Sequence, residues 1–425
     1  MKTQFNLAAL APSGSADFQS AVSRISNPQT THKHERHGDL NARPAGSRRY
    51  SRLETCATVW RSVLLGWVLL LFTLALQPST LLAQGSLTPP GPPAPTMKTL
   101  QQVEPRVPIS SAPFTISQPG SYYLTTNLTV SGGDAITITT NDVTLDLNGF
   151  TISSTANPAS GTGILLSGRL RNITIQNGFI RGGVTNNGSG VFSGPGFAYG
   201  IRDEEGASVG VAQNVRVSGV SVTGCQYGIW LTDVTDTLVE NCMVRTIQEE
   251  GIWAKAIRGC VASDCGGVAI KGRQVSDSRG QSVGSAVYAN GIRAGTAVNC
   301  YGQSSSAHGL TALVAQNCYG SSNSRSGLDA GAAQNCYGES TSGTGLFADT
   351  ALNCYGVSYS GTGLFARNAL NCYGESTSGP RALLATNAAF CVGYRPGGRA
   401  IEAYIANGCW ALAGTNLITY KYNMP

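Results

Sequence analysis

Two tryptophans and several charged residues recur at matching positions in four successive segments of the chain. An isoleucine marks each segment, and the residue directly after it is Arg202, Trp230, Trp253 or Lys271. Tryptophans with charged neighbours are suited to stacking on a sugar ring while polar groups hold its hydroxyls or a uronate carboxylate. The alternative is an amphipathic, solvent-facing surface whose tryptophans rest on a neighbouring loop. The pattern makes Arg202, Trp230 and Trp253 candidate ligand-binding residues.

Acid–base chemistry at the same face would draw on charged residues close to these. Glu204, Lys255 and Arg273 each stand two residues beyond the marked position, and Lys271 is itself a base. A glycoside hydrolase needs two carboxylates within about 5–9.5 Å of each other. Neither set of positions carries two acids in successive segments, which disfavours catalysis. These four residues are therefore candidates only for an alternative reading, in which Lys255, Lys271 or Arg273 is a base and Glu204 its partner.

Cysteines recur with a period of 18 residues over much of the chain. The members of this set are Cys242, Cys260, Cys300, Cys318, Cys336, Cys354, Cys372, Cys391 and Cys409, with Ser278 in the equivalent position of one segment. Free cysteine packs as a small hydrophobe, so the favoured interpretation is a buried structural ladder. Disulfides between neighbours are the alternative, because residues stacked about 4.8 Å apart fall within disulfide range. The absence of CxxC and histidine pairing disfavours a metal site, and the sequence predicts no cofactor.

The positions beside the cysteines are equally regular. Asparagines precede them and tyrosines follow them; the asparagines are Asn299, Asn317, Asn335, Asn353 and Asn371. Stacked asparagines hydrogen-bond along a column and tolerate a tight bend. The tyrosines should point away from the cysteines and form an aromatic strip. Such a strip would stabilise the sheet by like-on-like stacking or, alternatively, offer a surface for sugars.

The elements that must position these residues are short strands. A second marker, glycine followed by isoleucine or leucine, keeps the 18-residue period from Gly291 to Gly363 and continues backwards with spacings of 18 to 37 residues. Eighteen residues with two Gly/Ser/Thr-rich breaks hold strands and turns rather than a pair of helices. The sequence predicts an all-β, single-stranded, right-handed parallel β-helix (a solenoid) of about 13 coils, with 18-residue coils in the C-terminal half.

Composition and charge support this organisation and exclude one class of partner. The chain has 425 residues, 53 of them glycine, and a net charge of +6. Residues 1–83 hold 9 Lys/Arg and 4 Asp/Glu, so the remainder holds 20 and 19 and is nearly neutral. Nucleic-acid binding is therefore not expected. We divide the chain into a disordered or mis-annotated leader (1–62), a signal peptide hydrophobic region (63–83), a Pro-rich linker (84–106) and the β-helix (107–425), with an N-terminal cap and a C-terminal closing segment.

The front of the chain predicts export. A basic segment precedes the uncharged run "VLLGWVLLLFTLAL" at 63–76, and Ala83 offers a small residue for cleavage. These are the parts of a secretory signal, whereas a spanning helix needs about 20 apolar residues. The expected location is secreted or in the cell envelope, periplasmic or extracellular. The alternative is an uncleaved membrane anchor through residues 63–82.

Two stretches resemble a known family. "GDAITITTNDVTLDLNGFTI" (133–152) and "GTGILLSGRLRNITIQNGFIRG" (161–182) are similar to segments of secreted right-handed parallel β-helix proteins of the pectin-lyase-like superfamily. The resemblance covers roughly residues 107–425. It implies the fold strongly and the activity weakly, because the superfamily includes lyases, hydrolases, adhesins and proteins of no known activity. Its lyases imply clustered acidic calcium ligands with a basic proton abstractor, and its hydrolases imply paired aspartates, neither of which is found here.

The sequence thus favours an exported, noncatalytic β-helix that binds carbohydrate or serves as a surface or structural element. Its expected partner is a polysaccharide or cell-envelope glycan, and a membrane only if the hydrophobic segment stays uncleaved; no oligomeric state is indicated. The alternative function is a polysaccharide lyase or glycoside hydrolase acting in a groove near Trp230 and Trp253.

Overall fold

The computed structural model describes residues 104–204, 213–231 and 236–424. The predicted leader and hydrophobic segment, and all but the end of the linker, lie outside these ranges. The described chain is built of strands, and one parallel sheet winds through 31 of them. The fold-class prediction, an all-β parallel β-helix with 18-residue coils in the C-terminal half, is confirmed.

The N-terminal coils are built of short strands, because turns interrupt the backbone every few residues. These strands are β1 (Val107–Ile109), β2 (Phe114–Ile116), β3 (Gly120–Leu124), β4 (Leu128–Val130), β5 (Ile136–Ile138), β6 (Val143–Asp146), β7 (Thr151–Ser154), β8 (Thr162–Leu166) and β9 (Arg171–Arg181).

The middle coils vary in length and contain the insertions anticipated from the wider spacing. Their strands are β10 (Thr185–Asn186), β11 (Phe192–Ser193), β12 (Tyr199–Asp203), β13 (Gln213–Thr223), β14 (Tyr227–Trp230), β15 (Thr237–Glu240), β16 (Met243–Ile247), β17 (Ile252–Arg258), β18 (Val261–Cys265), β19 (Ile270–Ser276) and β20 (Arg279–Ser282). β10 and β11 form a separate antiparallel hairpin inside the longest insertion.

The regular coils alternate a seven-residue strand with a four-residue strand before the final coils lengthen. These strands are β21 (Ile292–Val298), β22 (Tyr301–Ser304), β23 (Leu310–Gln316), β24 (Tyr319–Ser322), β25 (Leu328–Gln334), β26 (Tyr337–Ser340), β27 (Leu346–Leu352), β28 (Tyr355–Ser358), β29 (Leu364–Leu370), β30 (Tyr373–Ser376), β31 (Arg381–Ala389), β32 (Val392–Asn407) and β33 (Trp410–Tyr422).

The register places each marker residue over its counterpart in the next coil. Leu310 pairs with Leu328, Leu328 with Leu346 and Leu346 with Leu364. All four are fully buried. Since side chains alternate across a strand, one inward position repeated every coil makes a continuous apolar core along the rod.

The β-helix has more coils than the thirteen predicted. The prediction counted one coil for each Ile or Leu marker, but the stack of marker positions continues beyond them. It reaches Phe114, opposite Ile136, at one end and Asn416, opposite Ile401, at the other. Those positions carry Phe and Asn instead of Ile or Leu, which hid them from the pattern. The tail, expected as a closing segment, is a further parallel strand, β33, laid along β32.

The regular coils are thin, because small residues fill much of their interior. Gly338 and Gly345 face each other across one coil, and a Cβ added to Gly338 would lie 2.3 Å from the Gly345 carbonyl oxygen. Alanines and the cysteines occupy most of the other inward positions. Glycine is required here by close backbone approach. Within the described ranges, no helix is long and apolar enough to cross a membrane.

Candidate functional site

The marked residues of the four segments stand side by side on consecutive strands. Arg202 pairs with Trp230, Trp230 with Trp253, and Trp253 with Lys271. All four side chains are partly exposed. They follow a buried isoleucine on each strand, so alternation turns them toward solvent. Their ligand-binding role stays a prediction, but the structure brings them together on one face.

Two tyrosines that the sequence reading missed complete an aromatic cluster. Tyr199 and Tyr227 are paired across neighbouring strands, and their rings stack at 4.7 Å with an interplanar angle of 12°. Trp230 meets Tyr227 edge-on at 4.8 Å and Trp253 edge-on at 4.5 Å. We call Tyr199, Tyr227, Trp230 and Trp253 the aromatic patch. The signal was present in the sequence, since both tyrosines stand directly before the Gly-Ile marker.

Cations lie at both ends of the aromatic patch. The Arg202 guanidinium carbon is 4.4 Å from the centre of the Tyr199 ring, and Lys271 Nζ is 3.4 Å from that of Trp253. Within the described chain, Arg202 Nε and Trp253 Nε1 are buried and have no hydrogen-bond partner. Buried polar groups are normally satisfied, so these two donors are suited to a bound acceptor.

A hollow of about 230 Å³ adjoins the Arg202 end of the patch. Asp134, Thr162, Leu165 and Glu204 help to line it. The Glu204 carboxylate is exposed, and Ser167 Oγ donates to it at 2.8 Å. The hollow therefore presents acceptors next to the Arg202 cation, an arrangement that can hold hydroxyl groups.

The remaining predicted bases are less well placed for catalysis. Lys255 Nζ donates to Asp236 Oδ1 at 2.6 Å, in an ion pair exposed to solvent. Arg273 is exposed on the next strand, β19, which also carries Lys271. The Lys255 ammonium is engaged by Asp236, so it is poorly placed to take a proton from a ligand on the patch. Of the four catalytic candidates, the structure brings Lys271 into contact with the patch and Glu204 beside it.

Glu250 is a carboxyl group that the candidate set omitted. It directly precedes the marker pair Gly251-Ile252, as the two patch tyrosines precede theirs, and it is half-buried. Burial raises the pKa of Glu250, Glu249 raises it further, and Lys271 opposes the shift. Burial also raises the pKa of Glu249. Glu250 is thus a carboxyl with raised proton affinity close to the Lys271 end of the patch.

The cysteine ladder lies inside the coil. All nine predicted ladder cysteines are buried, and no cysteine of the described ranges is in a disulfide. Their thiols donate to backbone carbonyls, as Cys318 Sγ does to Gln316 O at 3.1 Å. Ser278 occupies the ladder position in one coil and makes the equivalent contact, since its hydroxyl donates to Ser276 O at 2.6 Å. Cys225 and Cys265 are two further buried thiols outside the predicted column.

The asparagine ladder forms one sharp corner of each coil. Asn317, Asn335 and Asn353 have φ between 53° and 54°, a left-handed conformation that asparagine tolerates. Each side-chain amide donates to the preceding ladder oxygen at 3.2 Å, and Asn299 donates to Asp277 at 3.0 Å. The column therefore satisfies its own amides along the rod while fixing the turn.

The tyrosine strip stacks on itself. Successive rings from Tyr301 to Tyr373 are 4.5–5.1 Å apart with interplanar angles of 4–6°. Because each ring face covers the next, the strip shows ring edges and hydroxyls outward. This geometry favours sheet stabilisation over the alternative of a sugar-stacking surface.

No protein family and no curated protein sequence matches this chain. Among solved structures, similarity extends to the A-module of mannuronan C-5 epimerase AlgE4 from Azotobacter vinelandii (12% identity, TM-score 0.39, 71% of this chain and 90% of that one). It extends also to the Dettilon tailspike protein (13%, 0.27, 75% and 61%). A third is alginate lyase from Paenibacillus sp. str. FPU-7 (12%, 0.23, 75% and 99%). The parallel β-helix fold that the resemblance implied is confirmed by the chain's own strand register.

Proposed function

We propose that this protein binds a polysaccharide along the face that carries the aromatic patch, with a preference for polymers that contain uronate residues. The bound chain is not cleaved or otherwise modified. The observation that carries the proposal is the arrangement of Trp230 and Trp253 between Arg202 and Lys271 on consecutive strands. Aromatic rings supply apolar contact with sugar C–H groups, and the two cations supply partners for carboxylates.

Two further observations support binding rather than catalysis. The Lys255 ammonium is held by Asp236, and Glu204 is an exposed carboxylate that accepts from Ser167. A general base or acid needs direct access to the reacting proton, and both of these groups are already engaged by a neighbouring side chain. The unpartnered donors Trp253 Nε1 and Arg202 Nε are, by contrast, complementary to sugar oxygens.

The proposal is tested by binding to immobilised polysaccharides. The full chain should be retained by acidic polymers such as polygalacturonate or alginate, more weakly by neutral dextran, and released by added soluble polymer. A Trp230→Ala, Trp253→Ala double variant should lose retention. Trp410→Ala is the control, because Trp410 is an exposed tryptophan in the last strand, outside the aromatic patch. Equal retention of all three proteins would contradict the proposal.

One observation favours a second candidate, hydrolysis or eliminative cleavage of the bound chain. Glu250 has a pKa raised by burial and lies close enough to Lys271 for the two charges to interact. A carboxyl whose pKa is raised by burial holds its proton to higher pH than an exposed one, as a general acid must. Release of reducing ends or of an unsaturated product, abolished by Glu250→Gln, would favour this candidate over simple binding.

A further inference from the structure

Farther along the same face lies a polar cluster that none of the candidate residues includes. The column that contains Trp253 and Lys271 continues through Arg293 and Thr311 to Asp329. Thr311 is three strand spacings from Trp253, about 14 Å along the rod at about 4.8 Å per strand. The cluster and the aromatic patch therefore belong to one continuous surface.

Two buried polar atoms in this cluster have no hydrogen-bond partner within the described chain: Asn290 Oδ1 and His308 Nδ1. Asn290 is only 7% exposed, and its amide nitrogen donates to Thr311 Oγ1 at 3.2 Å. Asn290 and His308 occupy equivalent positions on consecutive coils, each directly before a marker glycine. An unsatisfied buried acceptor is costly, so two neighbouring ones point to a partner that binds there.

Asp329 gives the cluster its opening to solvent. His308 Nδ1 and Asp329 Oδ2 are 3.7 Å apart, beyond hydrogen-bonding distance, and their side chains are 20% and 31% exposed. Ligand hydroxyls lying about 2.8 Å from these atoms would donate to His308 Nδ1 and to the Asp329 carboxylate. Burial lowers the pKa of His308, so its imidazole is neutral at pH 7 and keeps one donor and one acceptor nitrogen.

The charges around the cluster discriminate between possible ligands. Arg293 stands next to Thr311 in the column, and Arg325 is close enough to lower the pKa of His308 further. Two nearby guanidinium groups disfavour a metal cation, since like charges repel at short range. They favour a ligand that carries hydroxyls together with a carboxylate. This is the chemistry of a uronate residue.

We propose that Asn290, His308, Thr311 and Asp329 form a second subsite for the same acidic polysaccharide, which would contact its hydroxyl groups about three coils beyond Trp253. This inference rests on the proposed function. The two unpartnered atoms are buried in the free protein, so binding includes a side-chain movement that exposes them. The polysaccharide then runs along the axis of the rod, and chain length decides how many subsites it fills.

Calorimetric titration with oligogalacturonates of two and eight residues tests this subsite. For the full chain we expect tighter binding of the octamer, and His308→Ala or Asp329→Ala should weaken octamer binding about 5- to 20-fold while leaving the dimer unchanged. Asp329→Asn, nearly isosteric, covers the case in which the alanine variant unfolds. Thr362→Ala is the matched control, because it changes the same column position three coils beyond His308.

The outcomes separate the two proposals. If Trp253→Ala weakens both oligomers while the His308 and Asp329 variants bind the octamer as tightly as the wild-type protein, the subsite is overturned and the proposed function stands. If Trp253→Ala has no effect on either oligomer, or the wild-type protein binds neither, the proposed function fails and the subsite fails with it.

Discussion

Trp230 and Trp253 are directly paired across two neighbouring parallel strands, and their ring centroids lie 4.5 Å apart with the planes at 79°. They are 23 residues apart in the chain, so the contact exists only because each coil returns to the same place. Every feature that we consider functional here is a column of this kind. A substitution at one position of a column therefore tests contacts between successive coils.

The asparagine ladder should contribute both hydrogen bonds and backbone conformation. Asn335 donates to Asn317 and accepts from Asn353, with φ 53°. Asn335→Ala should lower the free energy of unfolding by about 2–4 kcal/mol, through two lost hydrogen bonds and a left-handed alanine. Asn335→Gly keeps the backbone relaxed and should cost about 1–2 kcal/mol less. Equal urea midpoints for the two variants would show that the conformation is not strained.

Phe390 breaks the asparagine column and should be a point of strain. It has φ 52°, where a bulky residue is rarely found, and it is 55% exposed. Phe390→Asn should raise the free energy of unfolding by about 1–2 kcal/mol. Phe390→Ala serves as the control, since it removes the ring without supplying a residue suited to this conformation. Greater destabilisation by Asn than by Ala, measured by chemical unfolding, would refute the strain.

The thin interior makes the facing glycines indispensable. Gly338→Ala would place a Cβ 2.3 Å from a backbone oxygen, so we expect loss of the cooperative unfolding transition or a large fall in its midpoint. Gly132→Ala is the matched change, because nothing lies within 4 Å of its added Cβ, and it should be neutral or stabilising by up to about 1 kcal/mol. Circular dichroism melts distinguish these outcomes, and a native-like melt for Gly338→Ala would contradict the packing.

The buried thiol of Cys225, outside the cysteine ladder, should make stability fall as the solution becomes alkaline. Burial raises the pKa of Cys225 to about 12, above its unfolded value of about 8.5, so the unfolded chain releases this proton first as pH rises. This thiol should cost the folded state about 1.4 kcal/mol per pH unit between those two values. Urea midpoints at pH 7.5, 9 and 10 measure the slope. Cys225→Ser should flatten the slope, and an unchanged slope in this variant would contradict burial of a neutral thiol at this position.

The regular half of the molecule was readable from the sequence because each physical demand repeats every 18 residues. The coil requires a buried Cys, a left-handed Asn and a close-packed Gly at fixed positions. The residue type at Cys336, Asn335 and Gly338 therefore indicates the local structure around it. The terminal coils were missed because Phe114 and Asn416 occupy marker positions without the marker residue. Their place depends on the strand pairing and not on residue type.

The candidate site was only partly readable. The column of Arg202, Trp230, Trp253 and Lys271 follows from counting from the markers. The direction in which a long side chain turns does not follow from such counting. The ion pair of Lys255 with Asp236 could therefore not be predicted. Asn290 and His308 carry no sequence signal of their own, because what distinguishes them is the absence of a partner for a buried atom within the described chain.

Calorimetric titration of the full chain with a soluble oligouronate is the most direct test of the central claim that the aromatic patch holds a glycan. We expect saturable binding by the wild-type protein, unchanged binding by Trp410→Ala, and at least a tenfold weaker affinity for Trp253→Ala, since a stacked aromatic ring contributes on the order of 1.5 kcal/mol or more. Binding that is equally strong in Trp253→Ala and Trp410→Ala, or no binding by any of the three, would contradict it.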